Sequence, residues 1–175
     1  FSIIPPYNYI SIDSTLLNWH ESFSKGPFSY ELSINSTLDT VPQSDTTYTA
    51  NSLIEGQYIW YITAVSDFGY RTRSNNTDTF WVDMNPPAVI AVEEIKDTSY
   101  SGPYELRVMA EDTIAGIDSI AIIYILPGDS VLGRVLTTRQ AGLWHTGYIP
   151  EATETGYTYY YLELYDRAVP SNSIR

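Results

Sequence analysis

From Gly56 to Ser66 the chain alternates. Tyr58, Trp60, Ile62 and Ala64 fall on one parity, and Ile59, Tyr61, Thr63 and Val65 on the other. A period of two turns successive side chains to opposite faces of a strand, so this stretch reads as a strand with two occupied faces. Gly56 punctuates its start, and Asp67-Phe68-Gly69 reads as the turn that ends it. The same plan returns over residues 156–166, where Tyr160, Leu162 and Leu164 alternate with Tyr159, Tyr161 and Tyr165. Two copies about a hundred residues apart match the spacing of two β-sandwich domains.

The other segments keep the period. Residues 1–6 read as a short entering strand, and residues 14–20 as a strand with Leu17 and Trp19 on one face. Phe28 to Ile34 reads as another, with Phe28, Tyr30, Leu32 and Ile34 together. Residues 35–44 are polar and read as a loop, 46–53 as a short strand, and 71–82 as the segment that closes the first domain. Pro86-Pro87 cannot continue a ladder and marks a linker, which places the domains at 1–85 and 86–175. Further strands are expected at 88–95, 104–111, from Gly116 onward, at 131–139, 142–149 and 157–166. The tail after Asp166, with Pro170 in its middle, is short for a full closing strand. No heptad or long helical period occurs, so the expected fold is all-β, two tandem antiparallel β-sandwiches.

Composition sharpens this. Sixteen Tyr and four Trp, with many Ile, Val and Thr, are the residue types that fit a pleated, half-buried surface. The net charge is −12, and both halves share it: three Lys/Arg against nine Asp/Glu up to Asn85, six against twelve after it. Such a surface repels phosphate backbones and anionic lipid, which argues against nucleic-acid binding and membrane attachment. No apolar run approaches the roughly 20 residues of a membrane span. Cysteine is absent, which excludes disulfides, thiolate metal sites and Cys nucleophiles. The start at Phe1 without Met suggests a processed product or an excised piece.

The run Leu17-Asn18-Trp19, Tyr30-Glu31-Leu32 and residues 53–69, followed by Phe80-Trp81-Val82-Asp83 before Pro86-Pro87, resembles a fibronectin type III domain of large secreted bacterial proteins. The resemblance implies that Tyr58 is the tyrosine corner, its hydroxyl bonded to nearby backbone. Residues 104–112, Ala115-Gly116-Ile117 and 160–166 resemble an immunoglobulin-like repeat of the same class of proteins. Arg167-Ala168-Val169-Pro170 stands where that pattern has Gly-Asn. These families are spacer, adhesion and substrate-presentation modules, and the resemblance implies no catalysis.

Candidate chemistry is sparse. His20 and His145 are the only histidines, read here as surface residues, and no nucleophile-elbow pattern accompanies them. Asp83, Asp112, Asp118 and Asp166 sit at expected turns and strand ends, where several carboxylates would suit calcium; Asp is also common in turns for backbone reasons. Trp81, Trp144, Tyr159, Tyr161 and Tyr165 are flat rings of the kind that stack on sugars. Asn35-Ser36-Thr37 and Asn75-Asn76-Thr77 match the glycosylation sequon.

A wet outer sheet face is expected to carry polar residues. Instead Ile59, Tyr61 and Val65 in the first domain, and Tyr159, Tyr161 and Tyr165 in the second, are expected to point outward. They mark an interaction face for other domains or subunits, with cross-strand tyrosine packing as the alternative. The expected function is a non-catalytic structural or adhesive module of an extracellular or cell-surface protein. The rival is a carbohydrate-binding accessory region of a secreted hydrolase.

Overall fold

A computed structural model describes residues 1–22, 26–41, 45–93, 95 and 101–175. The chain divides into two compact units: Phe1–Met84 with Ala168–Pro170, and Asn85–Arg167 with Ser171–Arg175. Neither unit has a helix among the described residues, and no helix is long and apolar enough to cross a membrane.

In the first unit the strands are β1 (Ile3–Ile4), β2 (Tyr9–Ile10), β3 (Thr15–Trp19), β4 (Phe28–Ile34), β5 (Thr37–Val41), β6 (Thr47–Ala50), β7 (Gly56–Ser66), β8 (Arg71–Arg73) and β9 (Asp78–Val82). They form a three-stranded sheet, β1-β3-β6, and a larger one ordered β2-β9-β7-β4-β5, with β8 paired to β7. The alternation of β7 places Trp60 and Ile62 between the sheets, fully buried against Leu17, Trp19, Tyr30, Leu32, Phe80 and Val82. Tyr30 is the aromatic hub. Trp19 and Phe28 meet it edge-on, with ring centroids 5.4 and 5.3 Å away, the arrangement that brings ring edges to a ring face.

In the first unit two features differ from the sequence reading. Residues 35–44 were expected to be a loop, of which 42–44 lie outside the described residues, yet β5 pairs with β4 from Ile34↔Thr37 to Tyr30↔Val41. Asn35 and Ser36 have φ of 47° and 70°, the left-handed pair of a two-residue hairpin turn. The strand escaped notice because it is an edge strand whose side chains are exposed except for Val41, so no apolar parity marks it. The other difference lies in the tail. Residues 168–170 were assigned with the second domain, but Val169 pairs with Ile10 of β2, its N–H donating to the Tyr9 carbonyl at 3.1 Å.

The second unit holds β10 (Ala88–Glu93), β11 (Tyr104–Glu111), β12 (Ile117–Ile125), β13 (Gly133–Leu136), β14 (Thr138–Arg139), β15 (Trp144–Ile149), β16 (Tyr159–Asp166) and β17 (Ser173–Ile174). One sheet runs β10-β11-β15-β14 and the other β13-β12-β16-β17. Leu106, Val108, Ala110 and Ile149 of the first meet Ile120, Ile122 and Leu164 of the second in one core. Residues 131–139, expected as one strand, are split: β13 pairs with β12, and β14 pairs with β15 in the opposite sheet. Thr137 marks the change, with N–H and Oγ1 both donating to the Ile120 carbonyl. A Cβ on Gly147 of β15 would lie 2.5 Å from Ile122 Cδ1, so the Ile122 side chain would have to shift to admit it. Residue 94 of the expected 88–95 strand lies outside the described residues.

Replacing Trp60 by Ala removes the largest fully buried side chain of the first unit. A loss of about 3–5 kcal/mol is expected in urea unfolding, the scale for a large aromatic taken from a packed core. A cost below about 1 kcal/mol, the surface scale, would show that the site collapses freely around the gap.

Candidate functional site

The sequence-predicted residues divide between outer sheet faces, turns and the core. Tyr58 lies at the core edge, stacked on Phe80 with ring centroids 5.3 Å apart. Its hydroxyl accepts from the Ile54 N–H at 2.9 Å and donates to the Ile54 carbonyl at 3.0 Å, so the corner expected at Tyr58 is formed. It clamps the loop that leads into β7.

On the outer face of the first unit, Ile59 is 46% exposed, while Tyr61 and Val65 are half-buried. The Arg73 guanidinium lies over the Tyr61 ring, 3.5 Å from its centroid. Beside it Arg71 forks onto the Glu31 carboxylate. In the second unit Tyr159 is 66% exposed, Tyr161 lies under Arg175 at 5.2 Å, and the Tyr165 hydroxyl donates to Glu163 at 3.3 Å. The Arg175–Glu163 ion pair holds the Glu163 carboxyl below the usual range, chiefly through its hydrogen bonds. Cation–π and ion-pair contacts of this kind shield aromatic surface from water without burying it fully. Trp81 is half-buried in β9, and its N–H donates to the Asn8 carbonyl.

Asp112 and Asp166 each bind nearby backbone N–H groups. Asp112 Oδ1 accepts from the N–H of Gly116 at 2.7 Å and of Ile114 at 3.1 Å. Asp166 is buried, and its carboxylate accepts from the Asn172 N–H, the Asn172 side-chain amide and Ser171 Oγ. The second unit brings a carboxylate oxygen of Asp112 within 4.8 Å of one of Asp166. Two carboxylates are a fraction of the six to eight oxygens that calcium takes. Asp118 lies exposed on β12, outside that grouping, and Asp83 belongs to the first unit, buried just after β9.

At the sequons, the Asn35 side chain is already engaged: Nδ2 donates to the Gln57 carbonyl and Oδ1 accepts from the Ile59 N–H. A glycan on Asn35 would break that clamp. Asn75 is exposed, and its N–H donates to the Phe1 carbonyl.

Two features escaped the sequence reading. The β7–β8 turn holds Phe68 and Tyr70 at 86% and 78% exposure on a fixed tip, with Ser66 bonded to Gly69 and Tyr70 through backbone and Oγ. The turn was legible, but exposure has no signal in an aromatic residue name. Second, the outer face of β11 and β15 forms a shallow cleft of about 490 Å³ lined by Trp144, Tyr148, Glu105, Arg107, Gln140 and Thr146. Arg107 sits 4.9 Å from the Trp144 ring centroid and bonds Glu93.

His20 is exposed, as read from the sequence. His145 is not a surface residue. Strand parity turns Trp144 outward and His145 inward, opposite Val108, and only 7% of it remains exposed. Burial, with a smaller contribution from nearby Arg139, lowers its pKa below the ordinary histidine value.

No family model matches the chain, and no curated protein matches it. Among solved structures it is similar to the fibronectin(III)-like modules of Clostridium thermocellum CbhA, at 19% identity and a TM-score of 0.52 over 98% of this chain and 88% of that one. It is also similar to the FN1–FN3 domains of chicken CNTN1, at 16% identity and 0.42 over 95% of this chain and 61% of that one. A third likeness is a tetra-tandem repeat in the extending region of a large adhesion protein, at 11% identity and 0.42 over 99% and 46%. The first of these carries the assignment of fold: tandem all-β sandwiches of the fibronectin type III and immunoglobulin-like kind.

His145 has a consequence for stability. Unfolded histidine titrates near about 6.5, and the folded group titrates lower, so between these values the unfolded chain binds the extra proton. Stability of the second unit should therefore be full above that range and fall as the pH drops through it. Urea midpoints followed from pH 7 to 5 should slope downward in the native protein and lose that component in His145→Gln. Parallel slopes would refute the assignment.

Proposed function

We propose that the chain is a non-catalytic structural and adhesive module of an extracellular or cell-surface protein, spacing or joining other protein domains. The observation that carries this reading is the fold itself, two β-sandwich units with the architecture of fibronectin type III-like modules along nearly the whole chain. The outer faces support it. Ile59, Tyr61 and Val65, with Tyr159, Tyr161 and Tyr165, offer flat aromatic and branched surface of the kind enriched where protein faces meet. Arg73 over Tyr61 and Arg175 over Tyr161 would have to change rotamer on contact, as interface side chains commonly do. The partner this reading commits to is another β-sandwich domain of like chemistry.

Sedimentation velocity over a concentration series tests it with the double variant Tyr61→Glu and Tyr161→Glu, both at half-buried outer positions. Association should weaken by about ten-fold or more while both units still unfold cooperatively. Unchanged association, or a native protein that is monomeric throughout, overturns the reading.

A second reading, sugar binding, is favoured by the Trp144 cleft. Trp144 and Tyr148 supply rings, and Glu105, Arg107 and Gln140 supply hydrogen-bonding groups beside them. Arg107 must leave the Trp144 face for a sugar to stack there. On a glycan array this reading expects binding that disappears in Trp144→Ala and survives in Tyr159→Ala. An array with no signal, or one indifferent to Trp144, removes it.

A further inference from the structure

We propose that the first unit joins copies of this chain end to end, the aromatic tip of the β7–β8 turn in one copy entering an apolar groove at the far end of the first unit of the next. Phe68 is more exposed than any other large hydrophobic residue described, and Tyr70 beside it is nearly as open. The turn that carries them is tight. The Gly69 N–H donates to the Ser66 carbonyl, the Ser66 N–H to the Tyr70 carbonyl, and the Tyr70 N–H to Ser66 Oγ. Gly69 has φ of 81°, the left-handed conformation that closes a short hairpin loop of this kind. The Asp67 N–H donates to the Pro27 carbonyl at 3.3 Å, which ties the turn to the residue before β4. Folding of one copy therefore leaves two rings in water on a fixed backbone.

The groove measures about 360 Å³ and is lined by Tyr7, Ile10, Ile12, Leu16, Val169 and Pro170, the remainder being Ser and Thr. Ile10 is buried, whereas Tyr7, Ile12, Leu16 and Val169 are all exposed. The volume lies at the lower end of ligand clefts, roughly 300–1,000 Å³, which suits one or two rings and not a whole sheet face. No charged side chain lines it, so Asp67, which flanks Phe68, meets no like charge there.

Tip and groove match in chemistry, yet they cannot meet within one copy. Gly56, the first residue of β7, stands opposite Val82, which also pairs with Ile10 of the groove. Ser66, the last residue of β7, opens the turn. The eleven residues of β7 lie between, roughly 33 Å at the rise of a strand. The occupant is thus a second copy. An apolar knob set into a pocket elsewhere on the same surface is a heterologous contact, which leaves each copy with one unused partner surface and extends into a row.

Two aromatic side chains bury roughly 300–500 Å² on their side. With the groove's share the total stays below the roughly 1,200 Å² of stable specific interfaces, so the contact is transient, with Kd on the order of 0.1–1 mM. It contains no ion pair, whereas each copy carries a net charge of −12. Salt screens that repulsion and should strengthen the association, the opposite of its effect on an ion-paired interface.

The test is a dilution series of the whole chain, about 0.02 to 1 mM, followed by amide chemical shifts. Shifts at the tip and around Ile12, Leu16 and Val169 should follow one saturating curve. Phe68→Ser and Leu16→Glu, both at exposed positions, should each weaken association about ten-fold or more. Mixing them decides the geometry. The Leu16→Glu chain keeps its tip and the Phe68→Ser chain keeps its groove, so together they should pair with near-native affinity and grow no further. Tyr61→Glu with Tyr161→Glu should leave this contact unchanged, which separates it from the outer-face association proposed above. A chain that stays monomeric at about 1 mM protein and about 0.5 M NaCl overturns the proposal. So do shifts confined to one of the two surfaces, association indifferent to both variants, or variants that fail to complement each other.

Discussion

Strand parity is the constraint on which both units depend. β7 is paired on one edge with β4 and on the other with β9, and both ladders place Trp60 in the same rung, opposite Ile34 and Asp78. A slip of one residue would exchange Trp60 and Ile62 for Tyr61 and Thr63, because side chains alternate with a period of two. The outer face enforces the same choice from outside. Arg73 covers Tyr61 only when β8 sits opposite Thr63 to Val65, which is its observed register. Core packing and surface cation–π contact thus select one alignment.

The second unit solves the problem with different means. β12 buries both parities, since Ala121 and Ile123 are as inaccessible as Ile120 and Ile122. It is paired on both edges, with β13 and β16, and its apolar run reads as continuous, not alternating. β16 carries the clearer period of the two. Clean alternation in a sequence signals a half-covered strand. The most deeply buried strand has the weaker pattern.

That relation explains what was legible. The all-β class and the parity of β4, β7, β11 and β16 could be read, because each is recorded in apolar spacing, while the Tyr58 corner came from the resemblance to a fibronectin type III domain. β5 was missed because an exposed edge strand has no apolar face, and Asn35-Ser36 lacks the glycine that advertises a two-residue turn. The split of 131–139 at Thr137 is a choice between sheets, which depends on distant Ile120 and on β15. The pairing of Val169 with Ile10 joins residues at opposite ends of the chain, and spacing carries no record of it. His145 was misplaced for a simpler reason. Parity set from Trp144 sends it inward, but residue type alone suggested a surface position.

The candidate surfaces were less legible than the fold, and the reason is physical. A catalytic or metal motif needs particular side chains at particular separations, so it leaves a mark in the sequence. The surfaces here are made of coverage: whether an arginine lies on a tyrosine, and whether a turn holds Phe68 in solvent. Of the nine cationic side chains, Arg73, Arg107 and Arg175 lie on aromatic rings and Arg71 grips Glu31. Cations placed in this way reduce the water contact of an exposed ring and leave it accessible to a partner that displaces them. What remains uncovered then has the greater significance: the Phe68–Tyr70 tip, which a tight turn holds in solvent. In a sandwich of this kind a substitution acts on exposed apolar surface chiefly by changing what lies over it.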